Sequence, residues 1–147
     1  IRTRSDDYPT LEKAADALHQ EAALFATSRL VEKIDDFAER TGKRLIYVLS
    51  YPAGRMAEGV ESGRRWDQTF VDFVKERKHP VIDLHEAHVA DHAANYRIGF
   101  REYLKQFYVG HYNPKGNFFC GFAIKDTLVR SLDPAAAAYR GDPSISG

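Results

Sequence analysis

The sequence predicts a layered α/β fold, a three-layer arrangement with a parallel sheet and flanking helices. Two short runs rich in β-branched and aromatic residues, LIYVLS at 45–50 and PVIDL at 80–84, read as buried strands. Helical apolar periodicity precedes, separates and follows them, and that alternation implies parallel strands joined by right-handed crossovers. Only two strands are legible, however, which leaves two open edges and little sheet for the helices to cover. The fold is therefore expected to be incomplete in this chain. Either a further strand lies within 85–110, or strands come from an upstream segment or another chain.

Each element has its own signal. From Thr10, apolar residues at Leu11, Ala14, Ala15, Leu18, Ala22, Leu24 and Phe25, then Leu30, Val31, Ile34, Phe37 and Ala38, recur at helical spacing. They form one long helix or two joined near Thr27 and Ser28, with Gly42 as the C-terminal stop. The first strand follows. The stretch PAGRMAEGVESGRR at 52–65 holds three glycines and a proline without a period, and reads as a loop. In WDQTFVDFVKERK the residues Trp66, Phe70, Phe73 and Val74 make one apolar helical face, and KERK is its solvated end, favoured by the helix dipole. Pro80 suits the first position of the second strand. Beyond His85 the pattern is irregular until Phe100, Tyr103, Leu104 and Phe107 suggest a further helix. The last helix starts after Asn113 with Pro114 in first position, and packs Phe118, Phe119, Phe122, Ala123, Leu128 and Val129 inward. Residues 133–147 read as a tail of a single domain spanning 1–147.

Composition narrows the function classes. Hydrophobic residues are 44% against 29% charged, enough to bury a core, and Lys plus Arg equals Asp plus Glu at 21 each. No summed field draws in nucleic acid or an anionic membrane, and no run is long enough to span one. Neither is an expected partner. Cys120 is the single cysteine, so no internal disulfide or cysteine-based zinc cage can form, and its apolar setting suggests a buried, inert thiol. The chain begins with Ile1, as a processed or partial product would, and the polar start IRTRSDDYP is not a signal peptide. No compartment is assigned.

His111, in VGHYNPKGNFF, stands at a junction between loop and helix. In an α/β sheet such junctions often lie at the carboxyl ends of strands, where ligands bind. An imidazole there can serve as general base, whereas the plain alternative is a ring bonded to the backbone of its own loop. With the strands at 46–52 and 81–84 ahead of it, the block His111, Asn113, Gly116 resembles the carboxyl-terminal half of the SGNH (GDSL-type) hydrolase family. The resemblance covers residues 28 to 132 in order of elements, and its motif-grade part is HxNxxG. It implies a flavodoxin-like three-layer sheet and a serine hydrolase that cleaves carboxylic esters or O-acyl groups, acylated carbohydrates among them, without a cofactor or metal. His111 is then the catalytic base.

Two departures from that family bear on chemistry. Tyr108 occupies the place of the orienting acid, three residues before the histidine. A backbone carbonyl, Asp83 or another acid must then fix the tautomer of His111, with Tyr108 and Asn113 as supporting candidates. The serine block and its oxyanion residues are absent; Gly141-Asp142-Pro143-Ser144 in the tail is a chance match. The chain thus offers a half-site, completed by an upstream segment or another chain, or else a non-catalytic α/β binding or interaction domain. A separate cluster, His85, His88 and His92 with Asp91, has spacing that would place three imidazoles on one helical face as in zinc sites. A polar helix start is the simpler explanation. Arg64, Arg65 and Trp66 with Tyr103, Phe107, Tyr108 and Tyr112 could line a sugar cleft, though core packing accounts for the aromatics better.

Overall fold

The computed structural model describes residues 4–132, so the tail at 133–147 and its Gly141–Ser144 stretch lie outside the described residues. In chain order the elements are a 3₁₀ turn at Ser5–Asp7, α1 Leu11–Thr41, β1 Tyr47–Leu49, α2 Ala53–Ser62, α3 Gln68–Lys75 and β2 Val81–Asp83. These are followed by α4 Leu84–Asn95, α5 Phe100–Leu104, β3 Tyr108–Val109, β4 His111–Tyr112 and α6 Pro114–Arg130. Among the described residues the structure is mostly helical and its parallel sheet has only two strands, which overturns the expected three-layer sheet. β1 and β2 do pair in parallel, Val48 opposite Ile82, but they make a sheet of two. The additional strands within 85–112 form a separate antiparallel hairpin, Tyr108 opposite Tyr112 and Val109 opposite His111, and do not widen that sheet. Strands of two and three residues offer too few ladder bonds for a layer, and helices supply most of the buried surface.

The chain divides into two compact units. The first comprises Ile1–Leu45 and Asp67–Lys78. Its main feature is α1, a continuous helix of 31 residues. Thr10 caps its first turn by accepting from the Lys13 amide, and Gly42 ends it at φ 63°, a left-handed conformation that glycine adopts without strain. No break occurs at Thr27 and Ser28, because their hydroxyls donate to the carbonyls of Ala23 and Leu24, four residues back, and stay compatible with the helix. α3 packs on α1, its Val71 and Val74 fully buried, while Phe70 and Phe73 are only half-buried. Arg77 reaches Glu32 and Asp35, and Lys78 reaches Glu39, so the basic KERK run is tied to acidic α1 residues.

The second unit comprises Ile46–Trp66 and His79–Gly147. Its core gathers Met56 and Ala57 from α2 with Phe100, Tyr103 and Leu104 from α5 and Phe107, ringed by Tyr51, Tyr96, Tyr108, Tyr112 and Phe119. The stretch 52–65, expected to be a loop, contains α2. Pro52 is its N-cap and Gly63 closes it at φ 66°, so both breakers sit at ends, where they do no harm. Gly54 and Gly59 inside it weaken intrinsic propensity, but burial of Met56, Ala57 and Gly59 against the core outweighs that penalty. The segment after His85, also expected to be irregular, is α4, begun by Asp83, whose carboxylate accepts from the His85 and Glu86 amides. α6 starts as the sequence predicts, with Asn113 accepting from the Gly116 amide and Pro114 in the first turn. Its inward face differs: Val129 is buried and Phe119 half-buried, whereas Phe118, Phe122 and Leu128 are exposed.

Candidate functional site

The hairpin that carries His111 turns through one residue. Gly110, at φ 86°, reverses the chain between Val109 and His111, a conformation that excludes side chains in practice. This leaves the His111 ring exposed, with Nδ1 2.9 Å from the backbone carbonyl of Tyr112. A carbonyl can only accept, so Nδ1 carries a hydrogen, which in the neutral ring leaves the lone pair on Nε2. Among the described residues Nε2 has no hydrogen-bond partner.

The other residues singled out in the sequence are committed elsewhere. Asp83 is buried at the end of β2, caps α4, and takes the Arg65 guanidinium at 2.5 Å; no hydrogen bond joins it to His111 among the described residues. Arg65 also donates to the Tyr51 hydroxyl at 2.7 Å and lies over its ring, so Asp83, Arg65 and Tyr51 brace the carboxyl ends of the two parallel strands. Tyr108 makes no hydrogen bond to His111 among the described residues. Its hydroxyl donates to the Tyr51 carbonyl at 3.1 Å, and burial pushes its pKa up to about 12, so it stays neutral. Asn113, besides capping α6, donates to the Gln106 carbonyl at 2.9 Å, which ties the hairpin to the end of α5.

Beneath the hairpin lies a polar chain that the sequence reading did not find. Tyr103 donates to Asp91 at 2.8 Å, so its oxygen accepts from His88 Nδ1 at 2.9 Å. His88 Nε2 is then the acceptor for the Tyr112 hydroxyl, 3.1 Å away. His88 is completely buried among aromatic rings, the nearest being Phe119, stacked at 4.1 Å. Desolvation, opposed by Asp91 and aided by His85, lowers its pKa to about 4, so it is neutral at ordinary pH. Burial likewise pushes the hydroxyls of Tyr103 and Tyr112 well above the usual phenol range. Cys120 is half-buried rather than buried, as its apolar context suggests it should be, and desolvation raises its thiol pKa.

No protein-family model, curated protein or solved structure matches this chain.

His85, His88 and His92 do not converge. His92 Nε2 donates to the Ile98 carbonyl at 2.6 Å, His88 is held by two tyrosines, and no metal-ligating group of three or more His, Cys, Asp or Glu exists among the described residues. The aromatic residues proposed for a sugar cleft divide as well. Tyr103 and Phe107 are core, and Tyr108 and Tyr112 are half-buried over it. The i, i+3 spacing of His88 and Asp91 was the only local sign of the polar chain. Its tyrosine partners lie 15 and 24 residues beyond His88, out of reach of any spacing rule.

Proposed function

We propose that this chain contributes the histidine half of an ester-hydrolysing site of the serine-hydrolase type, with His111 as general base. The observation that supports this reading is the exposed Nε2 of His111, left with a lone pair because Nδ1–H is occupied by a carbonyl. That is the tautomer a base needs: Nε2 accepts the serine proton as Oγ attacks the ester carbonyl carbon, then returns it to the departing alkoxide. Water repeats the sequence to release the acid. The serine and oxyanion donors come from an upstream segment or another chain. Hydrolysis of a short acyl ester, an acetylated sugar included, by the natively encoded protein is the test. His111→Ala is expected to lower kcat/KM roughly a thousandfold, the scale of a lost general base; an unchanged rate rejects the assignment.

One observation favours a second reading, a non-catalytic binding or interaction domain. Tyr108 stands where the acid belongs, and its hydroxyl is used to hold Tyr51. On that reading the natively encoded protein hydrolyses no ester, with or without His111.

A further inference from the structure

We infer that Tyr112 is the positioning residue for His111 and that His88 holds it in place, so a carbonyl anchored from beneath substitutes for the missing acid. This rests on the proposed role of His111 as base. Tyr112 engages both histidines. Its backbone carbonyl accepts from His111 Nδ1, and its hydroxyl donates to His88 Nε2. Three further contacts limit its movement. The ring lies nearly parallel to that of His88, at 15° and 5.9 Å between centroids. It packs against Tyr108 at 4.2 Å. It also lies over Gly116, where a Cβ would overlap both the Tyr112 ring and the Phe107 carbonyl oxygen.

The direction of every bond in the chain follows from its far end. A carboxylate of Asp91 accepts only, so Tyr103 donates to it, His88 Nδ1 donates to Tyr103, and Nε2 has only a lone pair to offer Tyr112. Tyr112 therefore donates to His88, which Tyr103 and Asp91 hold in turn, and the Tyr112 hydroxyl also meets the side chains of Tyr108 and Cys120. A two-residue strand cannot supply that rigidity by its own ladder. The arrangement resembles the role of a triad acid in holding the imidazole tautomer, but it supplies no negative charge beside the ring.

The test is the tautomer of His111, read by long-range ¹H–¹⁵N NMR of the imidazole nitrogens in the full chain above the titration range of the ring. The wild type should show predominantly the Nδ1–H form. Tyr112→Phe removes the hydroxyl and retains the ring; it is expected to lower the Nδ1–H to Nε2–H ratio about fivefold, the scale of one neutral hydrogen bond. His88→Leu should do the same. His88→Gln, whose amide can donate to Tyr103 and accept from Tyr112, should restore much of the ratio. Retention of far-UV circular dichroism identifies the variants that have folded. A wild type dominated by Nε2–H overturns the inference, as does a ratio that Tyr112→Phe leaves unchanged. These readings do not depend on turnover, so failure of the positioning role is distinguishable from failure of the hydrolase reading.

Discussion

His88 is neutral in the folded protein because it is removed from water and both ring nitrogens are engaged with neutral hydroxyls. Its pKa falls from 6.5 to about 4, so the unfolded chain binds the proton more readily than the native state does. Stability is therefore fully present above about pH 6.5 and is lost as pH falls through 4. The shift corresponds to about 3 kcal/mol at most, and Tyr112 is the first hydrogen bond to suffer, since a protonated Nε2 cannot accept. Urea titrations at pH 7 and pH 4.5 should show that loss for the wild type, and His88→Gln should reduce it; an equal loss in both would assign the acid sensitivity to other groups. Arg65 and Asp83 illustrate the opposite treatment of charge. Asp83 is buried and Arg65 partly so, and the carboxylate would be costly without its partner, so the pair reads as a brace for the strand ends.

Helix ends were more legible than helix interiors. Gly42 and Pro114 take the terminating and first-turn places expected of them, and Thr10 and Asn113, the residues after which the two helices were expected to run, prove to be their caps. Asn113 serves both α6 and the base of the hairpin, through Gly116 and Gln106. Asn113→Ala should cost about 1 kcal/mol from the cap alone, measured as a lower urea midpoint with unchanged m-value. A smaller effect than for other surface substitutions would mean the cap is not formed. Interiors misled where glycine content and apolar periodicity were weighed without packing. The glycines of 52–65 suggested a loop, yet Met56 and Ala57 bury enough surface to hold α2. Phe118 and Phe122 on α6 are exposed, as is Trp66, which precedes α3 instead of joining its apolar face, whereas Val74 and Val129 are buried as expected and Val71 joins them. Size and apolarity alone do not say which face of a helix a partner covers.

For the whole molecule, order of elements proved a poor guide to layers. Parallel pairing of β1 and β2 was legible, since two β-branched runs separated by helix favour that geometry. The extent of the sheet was not, because it depends on how many strands pair and over how many residues. His111 was legible as a residue type before a capped helix. The carbonyl contact that holds its ring was not, because a backbone carbonyl leaves no letter in a sequence and the His88 chain is assembled from three separate elements. The proposed chemistry requires a serine outside the residues assigned here, and a serine-reactive fluorophosphonate detects it directly. Labelling of the natively encoded protein and of its His111→Ala variant is compared at equal concentration. Covalent labelling of the wild type is expected, with a labelling rate lower by roughly a hundredfold or more without the base. No labelling of the wild type, or equal labelling of both proteins, would contradict it.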